Sequence, residues 1–445
     1  MSAEAQGRIG RRFDASNELR PRFHQTIPGG SHTYAKGDDQ YPQDMAPYLV
    51  RGAGSHVWDV DGNEYIEYGS GLRSVTLGHA FEPVLEAVRR QLELGANFVR
   101  PATIELEAAE RLVALIPGAE MVKFCKDGSD ATSGALKLAR AFTGRDRVAI
   151  CANHPFFSVD DWFIGASAMP GGIPESARAL TLKFAYNDLA SLDALFEEHP
   201  DEIAAVFLEA EKETPPTPEF LAGLRERCDR HGTILVLDEM ITGFRWHHQG
   251  AQTYYGIEPD LSTFGKGLGN GFSVSALVGR RELMQLGGAA HDRERVFLMS
   301  TTHGAETHAL AAAIATMDFY DSHPVVDTLW QRGQRLADGL RAATAAAGVT
   351  DAVPILGKPC CLVFGSRDEQ GQPSQPFRTL LIQELLDRGV LATSLVVGYS
   401  HSEDDIDHTV SVFADALGVY RQALDHGIER FLRGRPVQPA IRPYA

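Results

Sequence analysis

With 445 residues, 44% of them hydrophobic and 23% charged, the chain has a globular composition and room for about three ordinary domains or one large enzyme subunit. Its 42 basic and 59 acidic residues leave a net charge of −17, which argues against nucleic acid or an anionic membrane as partner, since both are negative. Five cysteines (Cys125, Cys151, Cys228, Cys360 and Cys361) are scattered without a CxxC pair, so the expectation is a reduced, cytoplasmic protein with neither a disulfide framework nor a zinc site.

The first residues, MSAEAQGRIGRRFDAS, lack the apolar core of a signal peptide, and no stretch approaches the roughly 20 apolar residues of a membrane helix. A segment spanning 1–75 reads as a helix followed by a hairpin over Val57–Tyr68, in which VWDV and EYIEY are strand-like and Asp61-Gly62-Asn63 is the turn. Residues 76–325 read as a large α/β domain with its clearest alternation between about 105 and 300. Its expected strands are Met121–Cys125, Val148–Cys151, Ala204–Leu208, Ile234–Leu237, Ser275–Val278 and Val296–Met299, short and apolar as in a sheet covered on both faces. Helical patterns lie between them at Ala131–Phe142, Leu189–Glu197 and Pro218–His231. A long helix over Val326–Ala347 opens a smaller α/β portion, 326–445, which contains CCLVFG, a polar loop at Ser366–Gln375 and a helix at Phe377–Asp387. The chain has no internal repeat.

Three stretches carry chemistry. In Gly232–Arg245, GTILVLDEMITGFR, an apolar run ends abruptly at Asp238 and Glu239. A carboxylate at the end of a buried strand needs a partner, and open α/β sheets bind ligands at such ends; taken alone, Asp238 reads equally as a helix cap or surface acid. In Asp260–Gly271, DLSTFGKGLGNG, Lys266 is flanked by Gly265 and Gly267. A Walker A loop fails there, because Asp260 stands where its first glycine belongs and Gly267 where Ser or Thr belongs; a dinucleotide-binding GxGxxG also fails, at Asn270 or Phe272. A Schiff-base lysine or a solvated side chain remains. In Phe124–Ala135, FCKDGSDATSGA, a strand runs through a Gly-Ser turn into a helix whose first amides, with Ser129, make either a phosphate site or an ordinary cap.

Together these motifs resemble the class III, fold-type I pyridoxal-phosphate aminotransferases, and most closely the branch around glutamate-1-semialdehyde aminomutase. The similarity extends to PGGSHTYAKG (Pro28–Gly37), LRSVTLGHA (Leu72–Ala80), LKLARAFTGRD (Leu136–Asp146) and RGVLATS with YSHSEDDID between Arg388 and Asp407. It implies a mainly parallel seven-stranded sheet in the large domain, a smaller C-terminal α/β domain and an N-terminal appendage. It further implies pyridoxal 5'-phosphate as cofactor and a homodimer with shared active sites. Asp238 would pair with the pyridinium nitrogen, and Lys266 would hold the cofactor and shuttle the proton. Gly128 and Ser129 would take the phosphate, joined by Thr302, or in a shifted register Thr301, from the neighbouring subunit. Met240 would lie against one ring face, and Glu209 would stand near the site although Ala210 replaces the family's usual proline.

The departures bear on substrate. Asn153-His154-Pro155 replaces Tyr-His-Gly, so the stacking aromatic is missing or supplied by His154 or Phe156. Lys36 stands where the aminomutase clamps a carboxylate with arginine, and Arg73, beside Gly71-Leu72, reads either as a contact for an acidic part of the substrate or as a solvent-exposed side chain. THGAE (Thr302–Glu306) resembles the branch of sugar and natural-product amination enzymes rather than the aminomutase. The leading expectation is an aminotransferase moving an amino group from an amino-acid donor to a small, sugar-like or natural-product aldehyde or ketone. An aminomutase is the alternative, and an inactive cofactor-binding protein the remote one. His303 and His308 read as hydrogen-bonded or solvated loop residues, and His247-His248 lacks the spacing and partners of a metal site.

Overall fold

The computed structural model describes residues 11–154, 156–211 and 213–442. They fall into two compact units. One comprises the described part of Met1–Leu72 with Leu77–Ala80 and Asp327–Arg442; the other comprises Arg73–Thr76 and Phe81–Val326. The N-terminal hairpin therefore clusters with the C-terminal part of the chain instead of standing as a segment of its own.

In the first unit, β1 (Leu49–Ala53), β2 (His56–Asp59) and β3 (Glu64–Glu67) form an antiparallel meander. The expected hairpin is present, and its turn has a visible cause. Buried Asp59 accepts hydrogen bonds from the amides of Asp61 and Asn63 and from the Tyr65 hydroxyl at 2.9 Å, while Gly62 supplies the positive φ of 81°. Asp61 in turn accepts from the amides of Ala15 and Ser16, tying the helix Asp14–Thr26 to the turn. The long helix spans Val325–Ala346 and its successor Gln375–Asp387, both within two residues of expectation.

The second unit holds a seven-stranded sheet built from β4 (Met121–Cys125), β5 (Arg147–Cys151), β6 (Thr181–Phe184), β7 (Ile203–Leu208), β8 (Ile234–Asp238), β9 (Leu261–Phe264) and β10 (Ser275–Gly279). Its order is β4-β10-β9-β8-β7-β5-β6, and only β10 runs antiparallel to its neighbours. Three short strands in the first unit, β11 (Ile355–Leu356), β12 (Val363–Phe364) and β13 (Val390–Leu391), complete the set; β13 pairs in parallel with β3.

Five of the six expected strands are observed, each with its ends within one residue. The sixth, Val296–Met299, is not a strand: it is an extended loop whose Leu298 and Met299 are buried and whose Val296 amide donates to Leu286 O. Its run of apolar residues resembles a strand, although Phe297 is 69% exposed. Within the seven-stranded sheet, β6 (TLKF) and β9 (LSTF) were not expected, because four residues with polar members carry neither an apolar run nor a clear alternation. The helix Gly128–Thr143 lays Ala131, Ala135, Leu138 and Ala139 into the core shared with β7, β8 and β10, and ends at left-handed Gly144. No helix among the described residues is long and apolar enough to cross a membrane.

Candidate active site

Because β4, β5, β7, β8 and β9 all run the same way, the residues that follow them gather along one edge of the sheet. That edge receives Lys126–Ser129 after β4, Asn153 and His154 after β5, Glu209 after β7, Asp238 at the end of β8 and Lys266 just past β9. Topology thus places the three motifs in one locality, the crevice where parallel sheets bind ligands.

Asp238 is 3% exposed and sits opposite Thr263 in the β8–β9 register. Its Oδ1 accepts the Met240 amide at 2.8 Å. Burial lifts this carboxyl above its ordinary range, while the nearby Lys266 ammonium, the Met240 amide and the Thr263 hydroxyl pull it back. Lys266 is the complement. Burial lowers its amine, Asp238 and Glu209 oppose that shift, and the cations Arg73 and Arg245 reinforce it. Its backbone is held at φ 45°, a left-handed conformation unusual for a side-chain-bearing residue and frequent at functional sites. The arrangement is a desolvated acid facing an amine depressed toward its nucleophilic, neutral form.

Met240 joins the three segments. A Cβ placed on Gly265 would come within 2.6 Å of Met240 Sδ and 2.4 Å of Ser275 Oγ, and one on Gly128 within 3.1 Å of Met240 Sδ. A side chain at Gly265 would have to displace Met240 or Ser275, and one at Gly128 would press on the same thioether, so the glycines let the three segments converge on Met240 as it stands. Glu239, fully buried, turns the other way. It accepts from Ala251 N at 2.8 Å, from Gln252 N at 2.7 Å and from the Thr242 hydroxyl, and burial pushes its carboxyl up to about 7. It fastens the loop that carries Asp238.

At the helix start, Asp127 caps through Oδ1, which accepts the amides of Ser129 at 2.9 Å and Asp130 at 3.1 Å. The Ser129 hydroxyl accepts Val159 N at 3.1 Å. The amides expected to meet a phosphate are therefore shared with a capping carboxylate, the ordinary cap that the motif also allows. Glu209, 4% exposed, donates its amide to His154 Nδ1 at 3.0 Å, which puts a neutral His154's proton on Nε2. His154 is buried with its ring 5.2 Å from Tyr186, whereas Phe156 is exposed and meets Phe163 edge-on. Asn153 accepts the Tyr186 amide.

Thr301 and Thr302 are exposed in the loop before the helix Thr307–Ser322, and Asn97 Nδ2 donates to Thr302 O at 3.0 Å. His303 pairs with Glu306, which also binds Lys126 at 2.5 Å. Lys36 lies exposed on a 3-10 turn of the first unit. Among the described residues no group of His, Cys, Asp and Glu is placed to hold a metal.

The sequence reading gave no role to Arg245. Wholly buried, it donates from Nη1 to Ile241 O, and from Nη2 to Arg73 O at 2.8 Å and Thr76 Oγ1 at 3.3 Å. Its place at the end of the DEMITGFR motif, on an otherwise apolar turn, was the available signal.

Comparison with known proteins gives a consistent answer. The family model described as aminotransferase class-III matches residues 38–417. A glutamate-1-semialdehyde 2,1-aminomutase of Syntrophobacter fumaroxidans is 33% identical over 436 residues, covering 91% of this chain and 97% of that protein. Among solved structures, the pyridoxal-phosphate internal aldimine form of FumI from Sphingopyxis sp. MTA144 is 28% identical with a TM-score of 0.84, covering 92% of this chain and 97% of its own. An omega-transaminase from Sphaerobacter thermophilus is 27% identical with a TM-score of 0.83, covering 92% and 98%.

Proposed function

This chain belongs to the class-III aminotransferases, pyridoxal-phosphate-dependent enzymes acting on small amines and carbonyl compounds, and from that premise we propose that it transfers an amino group from an amino-acid donor to a small aldehyde or ketone. The observation that carries this reading is the buried Asp238 beside a desolvated Lys266 at the sheet edge.

These residues fit the cofactor. Pyridoxal phosphate, when bound, supplies an aldehyde carbon that takes up the amino group and a ring that withdraws electrons from the adjoining carbon. Lys266 would hold that aldehyde and, once displaced by the incoming amine, move the proton to and from the substrate's α-carbon. Its lowered amine is suited to both tasks, since only the neutral form accepts a proton. Asp238 would keep a proton on the ring nitrogen, a buried acceptor losing no strength to water. Met240 would lie under the ring where the glycine segments converge. Gly128 and Ser129 would take the phosphate at the helix start, with Asp127 yielding the Ser129 amide. Glu209 and His154, fixed to one another, would border the ring. Lys36 remains a proposed substrate contact.

The proposal includes a homodimer with shared active sites. Leu92, Leu94, Phe98 and Val99 are 50%, 72%, 51% and 100% exposed, an apolar run beside the Thr301–Thr302 loop through the Asn97 bond. Covered by a second copy, it would bring Thr302 or Thr301 to the neighbour's phosphate. The five free, buried cysteines support a reducing, cytoplasmic setting. The sugar-like or natural-product acceptor stays part of this proposal.

An aminomutase is the second reading, favoured by the names of relatives at 33% and 32% identity. The two separate in a single-turnover titration of the holoprotein with a panel of amino acids. Loss of the cofactor absorbance with stoichiometric release of keto acid is expected; conversion of a substrate to its isomer with no released keto acid would replace this reading with the aminomutase.

A further inference from the structure

Four successive residues, Ser70, Gly71, Leu72 and Arg73, have positive φ, at 47°, 57°, 59° and 70°. A left-handed run through three side-chain-bearing residues persists only where its surroundings impose it. For Arg73 the restraint is visible: the buried Arg245 donates to its carbonyl and to the Thr76 hydroxyl. Val75 and Thr76, which follow Arg73, lie directly on the loop that follows Lys266. A Cβ on Gly267 would stand 2.8 Å from Thr76 Oγ1, and one on Gly271 3.3 Å from Val75 Cγ2.

The Arg73 side chain is partly buried, and its charge is near enough to act on the Lys266 amine. Its Nε is shielded from water and has no hydrogen-bond partner, and among the described residues no carboxylate pairs with the guanidinium. Several other arginines of this unit are paired with carboxylates, Arg227 with Asp193, Arg225 with Asp260 and Arg147 with Glu202, whereas the buried Arg245 spends its donors on carbonyls and a hydroxyl. A partly desolvated guanidinium without a counter-charge, beside the reacting amine, is a receptor for an anion. Its planar fork matches a carboxylate through two parallel hydrogen bonds.

We propose that Arg73 binds the carboxylate of the amino-acid substrate, and that Arg245 is the positioning residue that locks the Arg73 backbone so the fork faces Lys266. The proposal rests on the aminotransferase reading for its substrate class. It makes the enzyme selective for amino acids over simple amines.

The test uses holoenzyme and three probes that differ by one group: ethylamine, L-alanine and β-alanine, the latter two being ethylamine with a carboxylate at different carbons. The rate of cofactor absorbance change per molar amine is measured for wild type, Arg73→Gln and Arg73→Lys, each first shown to bind cofactor with the wild-type spectrum. We expect wild type to prefer at least one of the two amino acids over ethylamine by a hundredfold or more, Arg73→Gln to reduce that ratio below tenfold, and Arg73→Lys to restore part of it. A ratio unchanged in Arg73→Gln overturns the proposal, as does a wild type without preference. If no amine reacts with wild type, the aminotransferase reading is what fails. Propionate binding, followed by cofactor fluorescence, then decides on Arg73 without turnover: binding at least tenfold weaker in Arg73→Gln supports the assignment, and equal binding or none in wild type contradicts it.

Discussion

Two ends of the same sheet edge hold a carboxylate in opposite ways, buried at Asp238 and exposed at Asp127. At the β8–β9 end, Asp238 is lifted by desolvation and answered by a lysine from the neighbouring strand's loop. At the β4 end, Asp127 is answered by the helix's own amides. In the first pair burial works against both charges, while each group favours the charged form of the other. The second is a satisfied cap, and an incoming phosphate has to compete with it. The same residue type in the same layer is thus chemistry at one end and local structure at the other, and the partner decides which.

The contrast is broken most severely at Lys266. Lys266→Ala should slow the half-reaction with an amino-acid donor by at least about a thousandfold, measured as single-turnover cofactor absorbance change. Asp238→Asn keeps the volume and removes the charge; a loss of about 10²–10³-fold in the same assay is expected, with the cofactor's absorbance shifting because its ring-nitrogen proton is no longer held. A wild-type spectrum and rate in this variant would detach Asp238 from the site.

Glu239 sharpens the comparison, being one residue from Asp238 yet fully engaged by three donors. Glu239→Ala should cost about 3 kcal/mol in denaturant unfolding, as buried donors lose their acceptor. Its carboxyl also imposes a pH dependence. Because the folded state raises it from 4.5 to about 7, the folded protein binds the proton more tightly than the unfolded chain. This contribution therefore leaves stability unaffected below 4.5, erodes it as pH rises toward 7, and is constant above. Glu239→Gln should lack that slope between pH 5 and 7, so wild-type and variant unfolding curves recorded across this window will differ in slope.

The smallest effect belongs to Asp127. Asparagine also caps helices, so Asp127→Asn should preserve the fold while removing a negative charge from the phosphate's place. Cofactor dissociation, followed by fluorescence on dilution, should become a few-fold weaker in extent. Looser cofactor binding would show that Asp127 supports the site instead of competing for it.

Much of this was legible in the sequence because it depends on local chemistry. β4, β7 and β8 are short, almost wholly apolar runs, and Asp238 and Lys266 stand out against them by charge and by flanking glycine. The gathering of these residues at one edge follows from parallel strand direction, which alternating strands and helices already imply. Arg245 was less accessible. Its role depends on meeting the carbonyl of Arg73, 172 positions away in the chain, and on a left-handed turn that only Gly71 hints at. β9 escaped notice for a related reason, since its Ser262 and Thr263 are buried by the strands on either side and not by any pattern of their own. Asp127 was half legible, since a Gly-Ser turn before a helix allows either an anion site or an ordinary cap, and only the observed bonds from the Ser129 and Asp130 amides show the cap.

The identity of the lysine that carries the cofactor is the center of the account, and it can be read chemically. The holoprotein is reduced with borohydride, digested and mapped by mass spectrometry for the peptide bearing a pyridoxyl group. A single modified residue, Lys266, is expected, with no modified peptide in Lys266→Ala; a pyridoxyl group on Lys123 or Lys126, or one that persists in the variant, would contradict the assignment of Lys266.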